Sequence, residues 1–287
     1  MKTKKLSYAV VTALAAIMMM GTACKKSSTS EGTNQPPAVT GLQLSTNAKF
    51  GTIITDNNGM AVYFFSKDAA GASTCVDACA VTWPPFYKEN PTLGTGLAAA
   101  DFVVITRTDG SKQTTYKGWP LYRFANDKAA GDTNGDAVGN LWAIAKADYT
   151  VMFGNTQLVG HDGAQYVETG IAGAASSQYI TDASGRTLYM FSRDTRNTNT
   201  FTRADLSNNA VWPIFEVSAV GSIPTVLGDK TQFTTITAAG KTQLVYKGRP
   251  LYLFGQDALT RGNTKGVSFP TPGAAIWKIT NTNTVVL

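Results

Sequence analysis

Short runs rich in Val, Ile, Thr, Tyr and Phe recur along this chain, separated by Asn-Gly, Asp-Gly, Ala-Gly and Lys-Gly pairs every eight to twelve residues. That rhythm predicts short antiparallel strands joined by tight turns. The stretch FVVITRTDGSKQTTYKGWPLYRF at 102–124 reads as three strands in a meander, turning at Asp109-Gly110 and Lys117-Gly118. Its counterpart at 233–254 is FTTITAAGKTQLVYKGRPLYLF. Glycine supplies the positive φ that a tight hairpin demands, and Pro120 and Pro250 fall at strand starts, where a missing N–H is tolerated. The fold class this predicts is all-β.

Within the pattern one word occurs four times: Tyr, one residue, Phe, two residues, Asp. Its copies are Tyr63-Phe65-Asp68, Tyr122-Phe124-Asp127, Tyr189-Phe191-Asp194 and Tyr252-Phe254-Asp257. The first and third follow an Asp-x-x-Gly turn, the second and fourth follow Tyr-Lys-Gly-x-Pro-Leu. The larger period is therefore a pair of words, duplicated about 130 residues apart. Trp83-Pro84 answers to Trp212-Pro213, Trp142 to Trp277, and the Gly131–Gly135 loop to Gly262–Gly266. This divides the body into a first unit at 41–148, a polar connector at 149–171 and a second unit at 172–281, each built of hairpins and meanders in a sandwich- or barrel-like arrangement.

Tyr and Phe lie two apart in each word, so in a strand they share a face. The opposite face is apolar too, with Val62 and Phe64, Leu188 and Met190, and Leu251 and Leu253; only Arg123, beside Leu121, interrupts it. A strand apolar on both faces belongs in the interior, and the aromatic pairs are expected in the core. Each aspartate falls just past its strand, where its carboxylate can accept N–H groups of the following loop. The functional alternative is convergence of several of these carboxylates on a cation.

The first residues change the cellular picture. Three lysines, an apolar-to-small run at 6–20 and Gly21-Thr22-Ala23-Cys24 form a signal peptide at 1–23 with a lipobox-like end. The run is shorter than the roughly 20 residues of a membrane span. Cys24 is the expected acylation site, membrane lipid the expected partner, and 24–40 a polar tether. The destination is the bacterial cell envelope, with soluble secretion as the alternative. Of three cysteines, acylating Cys24 leaves Cys75 and Cys79 as a disulfide pair. The net charge of +6 falls to +3 without Lys2, Lys4 and Lys5, and to +2 without Lys25, Lys26 and Glu31. The remaining Lys and Arg are scattered, which argues against a nucleic-acid partner.

Candidate chemistry is sparse. Asp127, Asp132, Asn134 and Asp136 crowd a glycine-rich loop that weakly resembles a calcium site, without the closing bidentate Glu. His161, the only histidine, lies in GHDGAQY without a Gly-x-Ser-x-Gly elbow anywhere. The sequence AAGKT at 238–242 has Thr235 where a phosphate-binding loop needs its first glycine. Cys75 and Cys79 lack the second pair or neighbouring histidine of a zinc or haem site, leaving a redox pair as the alternative to a structural bridge. Differences between the copies point to the first unit: Trp119 answers to Arg249, and Trp119, Arg123 and the 75–83 loop are expected near its surface, Trp119 as a carbohydrate-binding candidate.

Together the four words, CVDACAVTWPPF, the Tyr-Lys-Gly-x-Pro-Leu-Tyr hairpins and the lipobox-like start resemble the secreted or lipoprotein repeat family with the Tyr-x-aromatic-x-x-Asp motif. The resemblance extends over nearly all of the body, although Ala204 and Asn208 stand where Cys75 and Cys79 would align. It implies no reaction. The expectation is a non-enzymatic envelope lipoprotein that binds an envelope partner or organises the envelope, without cofactor; a redox- or metal-linked module and a carbohydrate binder are the alternatives.

Overall fold

Strand burial follows the apolar pattern in the first word, where all of Tyr63–Phe65 is buried, but not in the meander, where Val103 is exposed and Gln113 and Thr114 are buried. In the computed structural model, which describes residues 38–273 and 276–287, the first half runs β1 (Gly41–Asn47), β2 (Gly51–Asp56), β3 (Tyr63–Phe65), β4 (Thr92–Leu93), β5 (Phe102–Thr106), β6 (Lys112–Tyr116), β7 (Trp119–Pro120) and β8 (Trp142–Ile144). The second runs β9 (Val151–Val159), β10 (Gln165–Tyr166), β11 (Ser176–Asp182), β12 (Tyr189–Phe191), β13 (Phe233–Ala238), β14 (Lys241–Tyr246), β15 (Arg249–Tyr252) and β16 (Trp277–Ile279). The leader, Cys24 and most of the expected tether lie outside the described residues.

The protein is all-β, in several small and mainly antiparallel sheets. β5–β6–β7 is the meander expected at 102–124, and β13–β14–β15 its copy, extended by β12 and β16 into a five-stranded sheet. Both hairpin turns at Lys117-Gly118 and Lys247-Gly248 have positive φ at both central residues, the backbone twist that two-residue hairpins require.

Residues 149–171, read from the sequence as a polar connector, hold a core strand instead. β9 pairs with β11 so that Val151 lies opposite Asp182, as Leu42 of β1 lies opposite Asp56 of β2. Val151, Met152, Phe153 and Leu158 are buried. β9 is thus the second unit's copy of β1. The hairpin loop it closes is far longer than the one between β1 and β2 and carries β10, so a fixed offset between the words could not find it.

Among the described residues the two faces of β3 enter different clusters, whereas in the second unit Leu188 and Tyr189 share one. Tyr63 and Phe65 of β3 face a cluster with Trp83, Tyr122, Phe124 and Trp142. Val62 and Phe64, on the other face, join a larger cluster shared with Met152, Phe153, Leu188 and Tyr189 of the second unit.

Candidate functional site

The words meet in pairs across a local antiparallel contact. Tyr63 and Tyr122 lie opposite each other, exchanging N–H to carbonyl bonds of 2.8 and 3.0 Å, and Tyr189 lies opposite Tyr252. This pairing swaps the side-chain partners. The Tyr63 hydroxyl donates to Asp127 of the other word at 2.6 Å and Tyr122 donates back to Asp68 at 2.6 Å. In the second unit Tyr189 donates to Asp257 and Tyr252 to Asp194, each at 2.7 Å.

The second oxygen of each carboxylate closes the loop that follows it. Asp68 accepts the Thr74 N–H at 2.8 Å, Asp127 that of Asn134 at 2.9 Å, Asp194 that of Thr200 at 2.7 Å and Asp257 that of Lys265 at 2.9 Å. All four aspartates are buried. Burial pushes the Asp68 and Asp257 carboxyls up to about 6, against the opposing pull of their hydrogen-bond donors, and raises Asp194 as well. The paired tyrosines are held well above their ordinary range, first by burial and then by the adjoining carboxylates.

Beside each pair of tyrosines stands a column of rings. Phe124, Trp83, Trp142 and Phe65 stack at 4.3, 3.7 and 4.1 Å between centroids. Phe254, Trp212, Trp277 and Phe191 repeat it at 4.3, 3.8 and 4.7 Å. Tyr63 and Tyr122 meet Trp83 and Trp142 edge-on at 5.5 and 5.2 Å, a favoured geometry for aromatic pairs. The repeated glycines explain themselves here. The Gly135 and Gly266 N–H groups donate to the Tyr63 and Tyr189 hydroxyls at 3.3 and 3.2 Å. A Cβ on Gly135 would lie 2.8 Å from both the Trp83 and Tyr63 rings, so Gly135→Ala is expected to lower the thermal midpoint sharply.

The remaining candidates separate. Among the described residues no group of three or more His, Cys, Asp or Glu side chains is placed to hold a metal. Asp132 accepts the N–H groups of Lys128 and Ala129, and Asp136 that of Ile144 in β8, so each of these acids is occupied by backbone N–H groups. Cys75 and Cys79 are joined, with Cα atoms 5.2 Å apart. The bridge lies at the start of a short exposed helix, Ala78–Thr82, with Cys75 buried. Buried Arg107 donates to the Cys75 carbonyl and Gln113 Oε1, each at 2.7 Å, and to Ser73 Oγ. In the second unit Asn199 takes over the bond to the matching Gln243 at 2.8 Å. Replacing both cysteines by serine is expected to cost about 2 kcal/mol, the entropy of so small a loop, measured by denaturant unfolding.

Trp119 corrects the surface reading. It is 1% exposed, donates Nε1–H to the Ala183 carbonyl at 2.9 Å and lies 4.9 Å from the Arg261 guanidinium, because the second unit packs directly over it. It offers no platform to a glycan. Arg123 is partly exposed and pairs with buried Asp56 at 2.7 Å. His161 Nδ1 does meet Ser268 Oγ at 2.8 Å. Ser268 is buried, however, and Asp162 bonds to it and to Tyr166 rather than to the imidazole, which leaves no oriented general base and no open path to the hydroxyl. The AAGKT segment is the turn between β13 and β14.

Fold and site define a tandem all-β repeat protein whose repeated polar residues bond to one another inside the body. Residues 45–87 and 103–146 match the family model Lipoprotein_15, described as a secreted repeat of unknown function. Each matched stretch holds one word of the first unit. No curated protein and no solved structure matches the chain. The matched residues stop short of the second unit, where the likeness is carried by the hydrogen bonds and ring columns above. What sequence reading missed was the exchange of partners between words; the strict Tyr-x4-Asp spacing, kept in four copies, was its one visible trace.

Proposed function

We propose that the chain is a non-enzymatic binding or structural module of the cell envelope, anchored by lipid on Cys24. The observation that carries this reading is the fate of the repeated residues: the hydroxyls and carboxylates of all four words are spent on one another and on loop N–H groups, which leaves the motif nothing to offer a substrate. The secreted description of the matched family supports export, and the lipobox-like Cys24 supports a membrane tether. Among the described residues no helix is long and apolar enough to cross a membrane.

Two measurements test it. Cys24→Ser is expected to move the protein from the membrane fraction to the soluble fraction, with the acyl mass lost from the mature chain; unchanged fractionation contradicts the anchor. In-cell cross-linking is expected to capture a defined envelope partner, and turnover of any substrate by the purified chain would remove the non-enzymatic reading.

A further inference from the structure

The two units pack head to tail, and the arrangement leaves one copy of the docking face open. On the first unit that face surrounds Phe64, Lys117 and Trp119. The turn after β11 seats on it, with the Ala183 carbonyl accepting from Trp119 Nε1 at 2.9 Å. Arg261 of the second unit clamps it, donating Nε–H to the Ala69 carbonyl at 2.8 Å and Nη1–H to the Lys117 carbonyl at 3.1 Å. Phe64, Tyr116, Trp119, Tyr149 and Met152 leave only about 10 Å³ unfilled there.

The second unit's copy of this face is fixed by matching bonds. Lys117 Nζ donates to the Ala147 carbonyl at 3.2 Å, and Lys247 Nζ to that of Thr282 at 2.8 Å. In this register Met190 stands for Phe64, Arg249 for Trp119, Lys278 for Ala143 and Thr284 for Tyr149. Four smaller or polar side chains thus replace well-packed ones, and a groove of about 400 Å³ opens between them.

We propose that this groove receives an acidic peptide segment of a partner protein, a proposal that rests on reading the chain as a binding module. A peptide is the occupant because the same face of the first unit is already filled by one, the turn at 182–185. Moreover, no aromatic ring lines the groove to stack on a sugar. Acidity follows from charge. Arg249 and Lys278 both line the groove, whereas its one carboxylate, Glu168, is engaged by Ser177 Oγ at 2.9 Å. Arg249 gives Nε–H to the Val285 carbonyl at 2.8 Å, and among the described residues no acceptor is bonded to its Nη atoms. Lys278 is exposed, and its ammonium makes no bond to the described residues. A carboxylate placed between them gains two cationic partners at once, one of them able to bind through a planar fork.

The test uses the whole mature chain, fluorescein-labelled hexaglutamate as probe and hexaglutamine as control. Saturable binding of hexaglutamate is expected, at least about tenfold tighter than hexaglutamine, with amide NMR shifts concentrated at Met190, Ser192, Arg249 and Lys278. The pair Arg249→Gln and Lys278→Gln is expected to weaken it by at least about tenfold. Arg249→Trp, which installs the first unit's residue, should weaken it too; thermal unfolding of each variant checks the fold. Equal affinity for hexaglutamine, shifts scattered over other lysines, or variants that bind normally would overturn the proposal. Were the groove inert while an envelope partner is still cross-linked, the groove assignment would fall and the binding-module reading would stand.

Discussion

Raising the pH from 4.5 to 7.5 at constant ionic strength is expected to destabilise this protein. Asp68 and Asp257 titrate near 6 in the folded state because burial disfavours their charged forms, whereas in the unfolded chain an aspartate titrates near 4. Between those values the folded protein binds more protons than the unfolded one, so stability falls as pH rises. The contribution is fully present below about pH 4 and is lost as pH passes through about 6. Each carboxyl contributes on the order of 2–3 kcal/mol, together shifting the thermal midpoint by roughly 10 °C or more in a chain of this size. Burial also raises Asp194, adding in the same direction. The paired tyrosines stay protonated throughout this window and add no slope. Calorimetry across the range checks it, and Asp68→Asn with Asp257→Asn should flatten the profile. A midpoint that rises from pH 4.5 to 7.5 would mean that the carboxylates are better solvated, or better bonded, than their burial implies.

The second large effect is the loss of a bonded aspartate. Asp257→Ala strands two donors at once, the Tyr189 hydroxyl and the Lys265 N–H, in a position 5% exposed. Buried unmet donors cost about 1–3 kcal/mol each, and the cavity adds to that, so a loss of about 3–5 kcal/mol is expected in urea unfolding. Asp257→Asn should cost less, since its amide oxygen still serves Lys265. The Tyr189 hydroxyl, already accepting from Gly266 at 3.2 Å, then loses only its acceptor. If alanine and asparagine prove equally mild, water reaches the site and the aspartate does not hold the loop.

Much of this architecture was legible before any coordinates. A strand apolar on both faces, as at Val62 to Phe65, belongs in the interior, and the two faces of β3 are buried in two different clusters. The position of each aspartate just past its strand announces a loop to be tied, and each carboxylate does accept an N–H six to eight residues on. β9 was hidden for a physical reason. A first strand is specified only by its apolar face, and VMFGNTQLV shares that requirement with GLQLSTN but almost no residues.

Trp119 was hidden by the comparison that seemed to expose it. A Trp in one copy and an Arg in the other looks like a surface exchange when the copies are assumed to share surroundings. In a head-to-tail pair they do not: the second unit covers Trp119, while Arg249 lines an open groove. The exchange of bonding partners between words left only the strict Tyr-x4-Asp spacing as its trace, because the sequence states which residues recur and not which copy each one faces.

Double-mutant cycles on unfolding free energy, with Tyr63→Phe and Tyr122→Phe crossed against Asp68→Asn and Asp127→Asn, test the central claim most directly. Coupling of about 1 kcal/mol or more is predicted for Tyr63 with Asp127 and for Tyr122 with Asp68, and close to none for the tyrosine and aspartate of the same word. Coupling confined within words, or absent from all four combinations, would contradict a body held together by exchanged tyrosine–aspartate bonds.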